Sequence, residues 1–294
     1  MSKVYLAIPY SHDNEDIMRR RFEFVTRLAG IYAERGLVPF SPITHSHTMA
    51  EKRDMPTDWE FWRDQDVPFL DWADELYVVK SKGWRESTGV NAEIEYFEKF
   101  NGTRRVEYID PVKTDAIDIV GISGKKRSGK DTAAEILTEN YGFESYSLAD
   151  PMKEAARAIF MFGDEQLYGD RKEKVDEFWD LSPREVLQNF GTDLFREKFG
   201  EEVWLDSMER RLSFYLPEKV VIPDIRFPNE ADWVKNMGGE VVCIDASERL
   251  ESDDDHASET ALDDYDGFDY VIDNNGTLPE FRMTIHDLAD QSLT

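Results

Sequence analysis

The chain has almost no cysteine. Cys243 is the only one in 294 residues, which excludes an intrachain disulfide and fits a reducing compartment. No apolar run approaches the ~18 residues that a membrane-spanning helix needs. The opening MSKVYLAIPY has neither a long apolar stretch nor the small-residue cleavage site of a secretory signal, so no membrane role and no leader are expected. Basic charge is scarce as well: 35 Lys and Arg face 62 Asp and Glu, a formal net charge of −27 at pH 7. A field of that sign repels polyanions, which argues against stable nucleic-acid binding and for small molecules as partners. It is also the balance of a protein from a high-salt organism, where screening weakens self-repulsion; the alternative is a strongly solvated surface.

Apolar material is sufficient for real cores: 40% of residues are hydrophobic and 13% aromatic. The length suggests two domains at ~100–200 residues each. Two apolar runs, residues 4–8 and 117–122, each open a series in which strands alternate with helices. The stretch Ile109-Asp-Pro-Val-Lys-Thr-Asp115 between them is charged, carries a proline and has no periodicity. The expected domains are therefore residues 1–112 and 116–294. The first has expected strands at 4–8, 37–40, 75–79 and 105–109, and helices at 15–35 and 89–100. Phe22, Val25, Leu28, Ala29 and Tyr32 form the buried stripe of the first helix, and Gly36 sits where a terminating glycine belongs. The second has expected strands at 117–122, 144–147, 219–222, 240–244 and 270–272. Its helices are expected at 130–141, 151–162, 183–199, 203–215, 230–237 and 278–289, and residues 247–259 read as an acidic loop or lid. The fold class is α/β, two domains, each a parallel sheet flanked by helices and carrying its ligand site at the strand C-termini.

The sharpest motif is Gly124-Lys125-Lys126-Arg127-Ser128-Gly129-Lys130-Asp131-Thr132. Gly124 to Lys130 fits the G-x-x-x-x-G-K pattern, after an apolar strand and before a helical pattern, the context a phosphate-binding loop requires. Glycines let successive backbone N–H groups turn inward around a phosphate, and the helix N-terminus adds positive potential. Lys130 supplies a point charge for the β- and γ-phosphates. The residue after Lys130 is Asp131 where the pattern has Ser or Thr; Thr132 is then the hydroxyl on the Mg²⁺ side, with Asp131 reaching the metal through water as the alternative.

Several further blocks follow in order: Leu148-Ala-Asp-Pro-Met-Lys153; Ser182-Pro-Arg-Glu-Val-Leu-Gln188; Phe190-Gly-Thr-Asp193 with Arg196; Val203-Trp204; Ile222-Pro-Asp-Ile-Arg-Phe-Pro-Asn-Glu230; Asp254-Asp-His-Ala-Ser-Glu259; Asn274-Asn-Gly-Thr-Leu278. With the glycine loop they give residues 117–288 a joint pattern that resembles the deoxynucleoside monophosphate kinases found mainly in bacteriophages, members of the P-loop kinase fold. The resemblance implies transfer of the γ-phosphoryl of ATP to a deoxynucleoside 5′-monophosphate, with Mg²⁺ and an acceptor-binding insertion between the second and third strands. Phosphoryl transfer asks for positive charge at the transferred group. Lys130, Arg127, Lys153, Arg184, Arg196 and Arg226 are the candidates. Asp150 orients acceptor or metal, or simply caps a helix before Pro151. Asp224 ends an apolar strand, where an acid for Mg²⁺ or substrate belongs. Gln188, Thr192, Asp193 and Trp204 are candidates to read and stack the base, with core packing as the alternative for Trp204. His256 is either a lid residue or a solvated one.

The first domain carries Val4-Tyr-Leu-Ala-Ile-Pro-Tyr10, Arg19, Phe22, Asp66, Asp71-Trp-Ala-Asp74-Glu-Leu-Tyr-Val78 and Gly83-Trp-Arg-Glu-Ser87-Thr-Gly-Val-Asn-Ala-Glu93-Ile94. These blocks resemble the nucleoside 2-deoxyribosyltransferase superfamily, including its deoxynucleotide N-hydrolase branch. The resemblance implies that Glu93 attacks the anomeric carbon of a deoxyribose, because an oxocarbenium-like transition state calls for a carboxylate. The alternative for Glu93 is a first-turn acid favoured by the helix dipole. Asp66 or Asp74 is then the acid/base partner or sugar ligand, Tyr5 and Tyr10 orient Glu93 or the sugar, and Ser87 takes a 5′-phosphate at a helix N-terminus. Thr44-His-Ser-His-Thr48 is read as a loop touching substrate rather than a metal site.

The leading expectation is a cytoplasmic, bifunctional enzyme of nucleotide metabolism that uses ATP and Mg²⁺, in the host cytoplasm if viral, with a homo-oligomer left open. The alternative is a P-loop kinase for another small phosphoacceptor, with a first domain that senses a nucleotide without chemistry.

Overall fold

The computed structural model describes residues 1–100, 104–250 and 260–293, with the side chains of Phe100, Thr192 and Asp193 outside that description. Contacts divide the chain into two units, Met1–Asp118 with Arg210–Lys219, and Ile119–Glu209 with Val220–Thr294.

In the first unit β1 (Lys3–Ala7), β2 (Val38–Phe40), β3 (Glu75–Val79) and β4 (Arg105–Ile109) form a parallel sheet in the order β2-β1-β3-β4. β1 is buried on both faces, which is why it reads as an unbroken apolar run. The helices are α1 (Glu15–Glu34), α2 (Pro42–Arg53), α3 (Trp59–Trp72) and α4 (Thr88–Phe100). Asn14 starts α1 by accepting the N–H of Asp16 at 2.8 Å. Gly36, at φ +82°, ends it: its N–H reaches Ala33 C=O and that of Leu37 reaches Tyr32 C=O, both at 3.0 Å, the paired bonds of a Schellman turn. The buried stripe is Ile17, Arg21, Phe24, Val25, Leu28 and Tyr32. Phe22 and Ala29, expected on that stripe, are only half-buried, and Phe24 and Arg21 take the inner face.

Two helices went unforeseen. The Thr44–Thr48 stretch is not a loop but lies within α2, started by Ser41 with Pro42 in its first turn. α3 contains Pro68, which breaks the pattern that announces a helix, although Asp58 caps it properly through Phe61 N–H at 3.0 Å.

The second unit holds β5 (Asp118–Ser123), β6 (Glu144–Ser145), β7 (Lys219–Ile225), β8 (Glu240–Asp245) and β9 (Tyr270–Asp273), in the order β6-β7-β5-β8-β9. Its helices are α5 (Lys130–Asn140), α6 (Asp150–Phe160), α7 (Asp164–Leu167), α8 (Pro183–Gln188), α9 (Glu197–Phe199), α10 (Val203–Tyr215, of which the residues from Arg210 on count with the first unit), α11 (Pro228–Asn236) and α12 (Leu278–Ser292). The single helix expected over 183–199 is α8, a π-helical stretch Asn189–Arg196 and α9 in succession. Ile122, Leu137, Phe143, Val221, Val242, Ile244 and Phe281 belong to the core between sheet and helices. The expected acidic loop or lid falls largely on residues 251–259, outside the described residues, and His256 with it.

Both sheets place their first strand inside, with later strands added on either side of it. Connections leaving β1, and likewise β5, part in opposite directions at the strand C-termini and leave a crevice there. Phe24, 0% exposed, is the largest apolar side chain on the buried face of α1 apart from Tyr32. Phe24→Ala is expected to cost ~3–5 kcal/mol, read as a shift in the denaturant midpoint; a loss under ~1 kcal/mol would contradict this packing.

Candidate functional sites

The turn from β5 into α5 demands its glycines. Gly124 has φ +142°, and a Cβ there would stand 2.6 Å from both the Ile244 carbonyl oxygen and Ser128 Oγ. Gly129 has φ +112°, with Asn274 Nδ2 2.6 Å from such a Cβ. Arg127 also lies in the left-handed region, at φ +65°. The loop is fixed from outside by Asn274, whose Nδ2 donates to Ser128 C=O at 2.6 Å. Ser128 is fully buried, and its hydroxyl has no partner among the described residues. No side chain caps α5, so its first-turn amides stay open to an anion. Lys130 Nζ donates to the carbonyls of Gly124 at 2.5 Å and Lys125 at 2.7 Å, which holds the ammonium over the loop. Lys125 pairs with Asp263 and Lys126 with Glu173. Asp131 is exposed and Thr132 half-buried on the first turn.

A second cleft opens between the start of α6, α8 with the π-helical stretch, and the end of β7. Lys153, Arg184, Arg196 and Arg226 line it as sequence suggested, together with Gln188 and Trp204. Lys172 lines it too, with no sequence pattern to announce it. Trp204 is 9% exposed and its Nε1 donates to Gly191 C=O at 3.1 Å, so only its ring is offered to the cleft. Arg196 is held by the buried Glu230 and lies 4.1 Å from the Phe227 ring centroid. Glu230 also accepts the N–H of Arg226 at 2.7 Å; burial raises it to about 7 against the pull of Arg196. Asp224 accepts Ser147 Oγ at 2.5 Å and the N–H groups of Leu148 and Ala149, both at 2.9 Å. It thus fastens the turn after β6 and keeps roughly one acceptor direction of about four. Asp150 does not line the cleft; its carboxylate accepts Ser147 N–H at 3.1 Å within that same turn. Thr192 and Asp193 belong to the π-helical stretch, their side chains outside the described residues.

In the first unit a cleft of about 840 Å³ lies at the C-terminal ends of β1 and β3. Glu93 is 5% exposed at its base, and Tyr5 donates its hydroxyl to Glu93 Oε1 at 2.7 Å. Asp66, 6% exposed on α3, lines the same cleft. Burial raises Glu93 to about 8, with Tyr5 pulling it down and Asp66 pushing it up, and raises Asp66 to about 7. Ser87 lines the cleft just before α4. Tyr10 lines it as well but does not reach Glu93; its hydroxyl pairs with His47 Nδ1 at 2.6 Å. Asp74 is not in the cleft. It precedes β3, at the opposite edge of the sheet, where it accepts Lys3 N–H at 3.0 Å. A parallel sheet gathers its site at strand C-termini, so a residue at a strand start is carried away from it. Arg21 was missed: it is buried in the cleft wall and donates to the carbonyls of Tyr10, Ser11 and Lys82 at 3.2, 3.3 and 3.0 Å.

Among the described residues no group of three or more His, Cys, Asp or Glu side chains could hold a metal ion, and no helix is long and apolar enough to cross a membrane. Residues 118–174 and 169–285 match the family described as deoxynucleotide monophosphate kinase, and residues 2–109 match a domain family of unknown function, DUF1937. A protein of Acanthamoeba polyphaga mimivirus, itself assigned as a deoxynucleotide monophosphate kinase, is 38% identical over 192 residues, which are 59% of this chain and 97% of that one. The deoxynucleotide monophosphate kinase of Enterobacteria phage T4 is 25% identical over 57% of this chain and 96% of its own length. The deoxynucleoside-5′-monophosphate kinase of Escherichia phage T5 is 28% identical over 54% of this chain and 72% of its own.

The raised Glu93 has a consequence for stability. The folded protein keeps a proton that the unfolded chain releases near the ordinary value of 4.5, so this contribution is complete below 4.5 and is lost as pH rises to about 8. Glu93→Gln, which keeps an acceptor for Tyr5, is expected to remove that part of the decline in urea midpoint with pH. Parallel pH curves for the two proteins would contradict it.

Proposed function

The chain belongs to the deoxynucleotide monophosphate kinase family, and from that premise we propose that its second unit transfers the γ-phosphoryl of ATP to a deoxynucleoside 5′-monophosphate. The observation that carries this reading is the juxtaposition of an uncapped glycine loop with Lys130 and, beyond it, a cleft lined by Lys153, Arg184 and Arg226. In phosphoryl transfer the protein supplies alignment and charge, with little covalent help. Amides of residues 124–130 and the Lys130 ammonium hold the polyphosphate tail. Lys153, Arg184 and Arg226 hold the acceptor phosphate, and Gln188 and the Trp204 ring hold the base. Asp224 keeps the Ser147–Ala149 turn in place. With no three-residue metal cluster in the described chain, the residues fit a Mg²⁺ that arrives on the nucleotide phosphates, with Thr132 and the free direction of Asp224 as protein-side ligands. Bound there, Mg²⁺ would neutralise charge on the phosphates.

A second reading concerns the first unit. Buried Glu93, oriented by Tyr5 and facing the same cleft as Asp66, supports cleavage of the N-glycosidic bond of a deoxynucleoside or deoxynucleotide. Its carboxylate would form a bond to the anomeric carbon as the bond to the base breaks; water or a second base then takes the sugar, with Asp66 as proton carrier or sugar ligand and Ser87 on a 5′-phosphate.

Two measurements test these readings on the full chain. With ATP and Mg²⁺, at least one deoxynucleoside monophosphate is expected to stimulate ADP formation, and Lys130→Met to lower kcat by ~100-fold or more. Stimulation by an unrelated small acceptor alone would establish the other kinase. Without ATP, free base is expected to appear from a deoxynucleotide faster as pH rises through about 8, where Glu93 ionises, and not at all in Glu93→Ala. Release that persists in that variant removes Glu93 as nucleophile; no release from the native chain leaves a binding module.

A further inference from the structure

Lys172 belongs to no sequence block, yet it stands where the two halves of the kinase site meet. It lies between α7 and α8, in a segment pinned at both ends: Lys172 N–H donates to Gly169 C=O at 3.4 Å, and its own carbonyl accepts Arg184 N–H at 2.9 Å. The next residue, Glu173, pairs with Lys126 of the glycine loop and stands 3.6 Å from Arg184 Nη1 of the acceptor cleft. Residues 172 and 173 therefore tie the donor loop to the acceptor cleft. The Lys172 side chain is half-buried and lines that cleft. Among the described residues its ammonium makes no hydrogen bond or ion pair. Burial first, then the like charges of Lys153, Arg226 and Arg184, lower it to about 8, and only Asp131 of the glycine loop opposes them. Lys172, Lys153, Arg184 and Arg226 bring four positive charges to one cleft, with Glu173 beside Arg184, and that concentration of charge suits an anionic ligand.

We propose that Lys172 is a catalytic residue whose ammonium contacts the phosphoryl group as it passes from donor to acceptor. The proposal rests on the kinase reading above. In the step, an oxygen of the acceptor phosphate forms a bond to the γ-phosphorus while the bond between that phosphorus and the β-bridging oxygen breaks, and ADP leaves with the electron pair. A phosphate monoester loses its second proton at a pKa on the order of 6, so the attacking oxygen is already anionic and no base is required. Lys172 keeps its protons throughout and donates hydrogen bonds to the oxygens in flight, where charge is redistributed in the transition state.

The test compares the native chain with Lys172→Met, Lys172→Arg and, as a control from the same segment, Lys174→Met, in steady-state ADP formation across both substrates. Lys172→Met is expected to lose ~100-fold or more in kcat with KM for ATP and acceptor within about threefold and its melting temperature unchanged. Lys172→Arg keeps activity within about tenfold, and Lys174→Met matches the native chain. A Lys172→Met enzyme with kcat within about threefold, or one altered only in KM, overturns the proposal, because uniform binding does not touch the transferring group. If no deoxynucleoside monophosphate is phosphorylated by the native chain, the kinase reading fails by itself, and inorganic pyrophosphate decides on Lys172. Stabilisation of the native chain by pyrophosphate that Lys172→Met lacks keeps the contact; equal stabilisation of both removes it.

Discussion

The amides that close around residues 124–129 have to bind a polyanion inside a chain whose formal net charge is −27. Long-range attraction cannot do this, since the overall field pushes phosphates away. Binding must come from short-range geometry: N–H groups turned inward, an uncapped helix N-terminus and cations kept close to the phosphates. Much of the second unit serves that end. Asn274, at the end of β9, pulls Ser128 into place; Ile244 forbids a side chain at residue 124; Lys126 and Glu173 attach the cation-bearing segment to the loop.

The two units treat buried charge in opposite ways. In the second, cations line the acceptor cleft, and Glu230 holds one of them, Arg196, and orders the backbone at Arg226. In the first, two carboxylates, Glu93 and Asp66, lie buried in one cleft with a tyrosine on one of them, so both are pushed toward their neutral forms. A cationic cleft suits substrates that carry phosphate into it, and a buried carboxyl, once ionised, suits chemistry in which positive charge develops on a sugar.

The strands were legible because parallel strands covered on both faces read as apolar runs, and all nine expected strands form among the described residues. The glycine loop was legible because only glycine satisfies φ +142° at residue 124 and +112° at residue 129. Helices α2 and α3 were hidden by histidines read as a loop and by Pro68 inside a helix. Asp74 matched a short block, but sequence distance does not reveal which edge of a sheet a residue occupies, and Asp74 falls at the wrong edge; Tyr10 does line the cleft, with its hydroxyl on His47 rather than on Glu93. Lys172, Glu230 and Arg21 each act through a meeting of segments far apart in sequence, and a lone charge in a charged chain carries no periodic signal.

The central claim is that the triphosphate tail of ATP lies in the loop after β5. A crystal of the full chain soaked with a non-hydrolysable ATP analogue tests it most directly. The account predicts phosphate density against the amides of residues 124–130, with the Lys130 ammonium turned from the Gly124 and Lys125 carbonyls toward it. An empty loop with the nucleotide bound elsewhere would contradict the account.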